Sequence, residues 1–457
     1  MSISSLSAAQ ISNLATTDIL SLSTTEVASL SATQIGAINT TDIAVMTTTQ
    51  VGAIGTAAAK GLTAAQIPYF QSAVIFDTTQ LAVFSSVQAG ALNSTQLTAL
   101  DTTHVGALTA TALGGLSATN FSGLSSTQVQ GLSNTQLKGL TAAQLGGLTS
   151  TDVGEFTSTQ IGQLTATQLN ALTTTDVALI TTTQLGGLTA TQLGGLSAAN
   201  FSALSSTQVQ GLTTTQTAGV SATQIKALSS TDFGDFSSTQ IGALSGAQLG
   251  QLSNTNFTAI TSTVVQGLSS TQVAGLTATQ FKGMSAADVG EFTTTQVGQL
   301  SSDQLGSLTT TAFNGLTSTE VGSLSSTQLK GVTATQLGGI STTDLAGLTS
   351  TQIGALSATQ LNGLTSTSTA ALTTTQLSGL TATQVGGLSS ASLSALSSTQ
   401  VQSLNTTQAA GLSTAQLKGL SSTDFADFST TQVAAFSSTQ LGSLSDANLS
   451  AVSSTVI

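Results

Sequence analysis

The sequence predicts an all-α repeat solenoid made of very short capped helices, one in every eight residues. Three observations carry this prediction. An apolar residue, usually Leu, returns every eight residues along nearly the whole chain. A Ser or Thr follows it directly, with Gln, Asp, Asn or Glu three residues later. A second apolar residue comes next, and two small residues close the unit. Leu188-Thr189-Ala190-Thr191-Gln192-Leu193-Gly194-Gly195 is one copy. A period this short makes one continuous body of stacked units and no conventional set of domains.

Each position of the octad has a physical reason. Thr189 is a helix N-cap, and Gln192 stands at N3, where it completes a capping box. Leu188 before the cap and Leu193 at N4 form a hydrophobic staple. Asp at N3, as at Asp152 or Asp288, also suits the positive end of a helix. Gly194-Gly195 permits a tight turn and close packing before the next Leu. A single long helix does not fit, because eight residues advance about 800° and the apolar stripe drifts about 80° per repeat. Isolated helices this short are unstable in water and must stack. If a coil takes about 24 residues and layers lie about 9 Å apart, the array is roughly 170 Å long. The alternative fold is a β-solenoid, since Thr, Val and Ile favour strands and Gly favours corners. Against it, the two apolar positions are spaced five then three and break strict alternation.

Taken in order, the leading residues are Leu6, Leu14, Leu22, Leu30, Ile38, Met46, Ile54, Leu62 and Phe70. Gly55 to Asp77 is irregular. It holds Lys60, Pro68, Tyr69 and Val74, the last where Gln is expected. The step from Phe70 to Phe76 is six residues, the one slip of frame. The expected organisation is therefore an N-terminal octad segment, 1–75, ending in a junction, and an uninterrupted array, 76–457. A longer unit of 37 residues lies over the array at Asn120–Phe156, Asn200–Phe236, Asn256–Phe292 and Ser392–Phe428, with a weaker copy from Ala312 to Asp344. Each strong copy has Val-Gln early, one Lys in the middle and an acidic pair before Phe. Block duplication in multiples of eight explains it, and structural arrays grow this way.

Composition narrows the function. There are 6 Lys, no Arg and 18 acidic residues, for a net charge of −12. This excludes the basic face of a nucleic-acid binder and docking on an anionic membrane. The charge is thinly spread and serves solubility. With no Cys, disulfides and thiolate metal sites are excluded. No apolar run approaches a membrane span. The start, Met1 to Leu6, shows no basic region followed by an apolar run, so no cleavable signal is expected.

The Leu-Ser/Thr-x-x-Gln-Leu/Ile/Val-x-x-Leu units resemble low-complexity octapeptide repeats of large bacterial exoproteins and adhesin-like surface proteins. The resemblance spans nearly the whole chain and is largely compositional. It implies an extracellular or cell-surface structural protein, exported without a cleaved signal. Leu62-Thr63-Ala64-Ala65-Gln66-Ile67 is similar to the short helix starts of mesothelin-type α-superhelices, although their longer helices and cysteines are missing. Neither resemblance carries a functional residue over.

Candidate sites are few. His104 is the only histidine and replaces Gln at N3, without partners in sequence for catalysis or metal binding. The acidic pairs Asp152/Glu155, Asp232/Asp235, Asp288/Glu291 and Asp424/Asp427 are weak Ca²⁺ candidates, since oxygen ligands suit that ion. Their spacing matches no calcium loop, and helix capping with solvation is the favoured reading. Lys60, Lys138, Lys226, Lys282, Lys330 and Lys418 share one octad position, which should be exposed. Asn120-Phe121-Ser122, Asn200-Phe201-Ser202 and Asn256-Phe257-Thr258 match the N-glycosylation triplet, which is frequent by chance in such a chain. Gly-Gly-Leu is repeat grammar and no phosphate loop. No catalytic or cofactor-binding residue is expected. Met1–Leu6 and Ala451–Ile457 read as ordinary octad material with no polar capping repeat. Solenoids usually need such caps, so a homo-oligomer through ends or sides is expected, acting as a filament, surface layer or adhesin stalk. The alternative function is ligand binding by an ordered Thr/Ser face, to ice or carbohydrate.

Overall fold

The computed structural model describes residues 3–71 and 76–450. Val74 and Ala451–Ile457 lie outside the described residues. Among the described residues the regular structure is entirely helical. The α-helices are four to six residues long, and Ile3–Ser5 and Ile67–Tyr69 are single 3₁₀ turns. The β-solenoid alternative is therefore set aside. The cap and the two staple residues span one helical turn in each octad, so the five-then-three spacing closes around a turn instead of alternating along a strand.

The chain forms two compact units, Met1–Ala243 and Leu244–Ile457. Both are built by the same rule: each helix packs on the third helix along. In the first unit, Ala110–Leu113 lies against Ser86–Gly90 on one side and Asn134–Lys138 on the other. In the second, Ala278–Gly283 lies against Ser302–Ser307, and Ala382–Gly386 against Thr406–Ala410. Three octads thus complete one coil of 24 residues, and octads three apart share a face. The leading and N4 residues, such as Leu188 and Leu193 or Leu324 and Leu329, are buried between the faces.

The slip of frame leaves the stacking intact. Phe70 and Phe76 meet edge-to-face with ring centroids 4.9 Å apart, and Phe76 meets Phe84 at 5.1 Å. The coil through this point is two residues shorter, yet the helix Thr102–Ala107 still packs on Thr78–Leu81 and Thr78–Leu81 on Thr56–Ala59.

Glycine serves close approach and not backbone reversal. No described glycine has positive φ, so the expected tight-turn role is not what fixes it. A Cβ on Gly194 would sit 2.1 Å from the carbonyl oxygen of Gly219, and one on Gly219 would sit 2.5 Å from that of Ala190. The first of these contacts recurs from Gly90 to Gly115 and from Gly354 to Gly379. The two glycines of each such pair are 25 residues apart, one coil and one step. The same separation joins Asn170 to Gly195 and Asn362 to Gly387 through the Asn side chain.

Candidate functional surface

Gln, the usual residue at N3, does two jobs. At Gln136, Oε1 accepts from the Ser133 N–H at 3.0 Å, and Ser133 Oγ accepts from the Gln136 N–H at 3.3 Å. That is the capping box read from the sequence. The other half of the amide turns to the coil before, where Nε2 donates to the carbonyls of Val105 and Leu108, both at 2.9 Å. Gln144, Gln168 and Gln216 repeat the pattern onto residues 31 and 28 positions back. So do Gln280, Gln304 and Gln328 in the second unit. These side chains are buried. Across the slip of frame the rung survives with shorter spacing: Gln80 Nε2 donates to Val51 and Ile54, 29 and 26 residues back. Capping is therefore only half of what Gln136 does. Val105 O already accepts from the Leu108 N–H, and the Gln amide of the next coil gives it a second donor while also bonding Leu108 O just past the helix end.

Where N3 is acidic, no amide donor remains, and at three such positions a cross-coil bond runs the other way. Ser122 Oγ donates to Asp152 at 2.6 Å, Thr16 Oγ1 to Asp42 at 2.8 Å, and Ser318 Oγ to Asp344 at 2.6 Å. At two octads whose short N3 side chain leaves the cap N–H unmet, an Asn from the coil before supplies the acceptor. Asn170 accepts from the Ser197 N–H at 2.6 Å and donates to Gly195 O at 2.8 Å, next to an octad with Asn200 at N3. Asn362 does the same for Ser389 and Gly387, next to an octad with Ser392 at N3.

Two copies of the 37-residue unit touch themselves across coils. In the first, Ser122 near the head bonds Asp152 near the tail, and in the second the rings of Phe201 and Phe236 lie 6.4 Å apart.

The acidic pairs are split between two environments. Asp152, Asp232, Asp288 and Asp424 accept from the N–H of their own caps Thr149, Ser229, Ser285 and Ser421. Glu155, Asp235, Glu291 and Asp427 stand half-buried before the corner Phe. Glu155 has a buried Oε2 without a hydrogen-bond partner. Burial, and then the neighbouring Asp152, push its carboxyl above the usual range, and Glu291 is raised likewise by burial and Asp288. Among the described residues no three His, Asp or Glu side chains gather as a metal site would require. His104 Nδ1 lies 2.7 Å from Asp101 Oδ1, which also accepts from the His104 N–H at 2.9 Å. These two contacts, the backbone one first, hold the exposed Asp101 carboxyl below its usual range.

All six Lys are exposed, as their shared position predicts. The N-glycosylation triplets are not presented to solvent: Asn120 Nδ2 donates to Leu92 O, Asn200 Nδ2 to Leu169 O and Leu172 O, and Phe121, Phe201 and Phe257 are buried. At N2, by contrast, most octads carry Thr, as at Thr167, Thr191, Thr335 and Thr359, and these side chains are exposed. The neighbouring N1 position drifts among Ala, Ser, Thr, Asn and Gly. In the second unit a shallow groove of about 470 Å³ runs between Lys330, Thr333, Ala355 and Thr359, without convergent charged groups.

The signal that sequence reading missed is the pairing at separations of 25 and 30 residues, such as Gly194 with Gly219 or Ser122 with Asp152. It becomes visible only once the coil length is known. No helix of the described residues is long and apolar enough to cross a membrane. A family model described as the ALTTAQ repeat matches residues 337–374. In that stretch Ala371-Leu372-Thr373-Thr374 runs from the corner through the cap, and the rung Gln376 follows two residues beyond it. No curated protein matches the chain. The chain is a helical repeat protein.

Proposed function

We propose that the chain is a non-enzymatic structural protein of the bacterial cell surface or extracellular space that assembles with copies of itself, as a filament, surface layer or adhesin stalk. The observation that supports this most is the use made of Gln. The polar side chain that recurs at N3 is consumed in bonding coil to coil, so the sequence serves to extend and stiffen the array. Stability then accumulates as a sum of neighbour contacts. The −12 charge is spread thinly over a surface of hydroxyls and small residues, which suits a passive scaffold. The test is sedimentation velocity and electron microscopy of the purified chain, with immunolabelling of intact cells. Ordered assemblies and surface label are expected. A monomer at all accessible concentrations, together with label confined to the cell interior, overturns the reading.

A second reading is ligand binding through the exposed N2 threonines, to ice or to carbohydrate. Their uniformity beside a drifting N1 favours it. Thermal hysteresis at micromolar protein supports the ice version, and its absence removes it.

A further inference from the structure

The three-octad coil sorts the charged side chains by face, which the linear sequence hides. In the Met1–Ala243 unit, one face begins at Leu92 and repeats every 24 residues to Phe236. Its octads, Leu92–Ala99 through Phe236–Ala243, hold no Asp, Glu, Lys or His. Over the same coils the face that includes Leu100, Leu148 and Val220 carries Asp101, His104, Asp152, Glu155, Asp176 and Lys226. The remaining face, which includes Leu132 and Leu228, carries Lys138, Asp232 and Asp235. The charge-free face is also the one with the most Gly and Ala edges, Gly146-Gly147, Gly194-Gly195, Ala218-Gly219 and Gly242-Ala243. Its rungs are unbroken from Asn120 to Gln240, so it is held to one geometry. Thr95, Thr119, Thr167, Thr191, Thr215 and Thr239 stand exposed along it.

We propose that this face is the contact by which one copy of the chain packs on another. The inference rests on the self-assembly reading above and gives it an address. In a two-fold contact the same patch meets itself, so every charged residue near the centre faces its own kind. Burying an unpaired charge there is costly. A chain with a net charge of −12 therefore associates most readily through a face that carries no charge. Gly and Ala edges leave no bulky side chain projecting from the face, and Thr supplies both a methyl and a hydroxyl for lateral contact. The size is adequate. Seven octads, with helices about 9 Å apart and roughly 13 Å of exposed length each, present about 800 Å², the share one partner gives to a stable interface.

The test compares two triple variants of the full chain with equal net charge. Thr167→Glu, Thr191→Glu and Thr215→Glu place three carboxylates on the charge-free face. Thr135→Glu, Thr159→Glu and Thr183→Glu place three on the face of Lys138. An acid at N2 suits a helix start, and circular dichroism checks that both fold. By sedimentation velocity the first triple should raise the concentration needed for assembly by about tenfold or more, and the second by less than about threefold. Equal effects, or a larger effect of the second triple, overturn this inference and leave the self-assembly reading standing. A wild-type chain that stays monomeric overturns both. A monomeric wild type that co-sediments with cellulose, and is released by the first triple alone, assigns the face to an uncharged glycan and likewise overturns the proposal.

Discussion

Two faces of the Leu244–Ile457 unit solve the same problem differently. On one face Gln280, Gln304, Gln328, Gln352, Gln376 and Gln400 follow one another, and each amide donates to carbonyls of the coil before. On another, Glu320, Asp344, Ser368 and Ser392 occupy four successive N3 positions between Gln296 and Gln416. All four still receive or share the cap bond of their own helix. None carries an amide for the preceding coil. Capping needs an oxygen at N3, while stacking needs a nitrogen beyond it. Gln is the side chain that reaches both. The face without it is patched from elsewhere, by Ser318 on Asp344 and by Asn362 at Ser389.

The sharpest way to break this contrast is Gln328→Glu. The variant keeps the acceptor for the Ser325 N–H but turns a carboxylate oxygen toward the carbonyls of Val297 and Leu300. The expected loss is about 2–4 kcal/mol, because two donors vanish and a buried charge faces two acceptors. Urea or thermal unfolding measures it, and a loss under about 0.5 kcal/mol would show that the rung is dispensable. Next in size is Asn362→Ala, which strips the acceptor from the Ser389 N–H and the donor from Gly387 O. It should cost about 1–2 kcal/mol. Adding Ser392→Gln to it should restore most of the loss, since Gln at N3 reaches the same N–H. If the double variant is no more stable than Asn362→Ala, the two devices are not equivalent.

The smallest effect concerns Glu291. Its carboxyl is raised by burial and by Asp288. A group raised in the folded state favours folding while protonated and loses that contribution as pH rises through its folded pKa. Glu291→Gln should therefore raise the melting temperature slightly at neutral pH, with the advantage shrinking as the pH falls through the acidic range where the wild-type carboxyl is protonated. An unchanged difference across that range would mean that Glu291 is as well solvated folded as unfolded.

Much of this molecule was legible in eight residues. The cap, the N3 partner and the staple are local, and a one-turn helix follows from local hydrogen bonding and packing alone. Thr189 with Gln192, and Leu188 with Leu193, stand where the octad places them. The exposure of Lys138 and Lys226 was equally readable, because a position that accepts Lys, Gly and Gln alike does not face a core. The sequence did not reveal what the second half of each Gln does or why Gly194 and Gly219 are both glycine. These depend on which coil lies beneath which, a relation between residues one coil or slightly more apart that no local energy specifies. The octad by itself determined the helix, since its bonds close within one turn. Only tertiary stacking decided the rung, the glycine contacts and the sorting of charge onto faces, since each needs a partner from another coil.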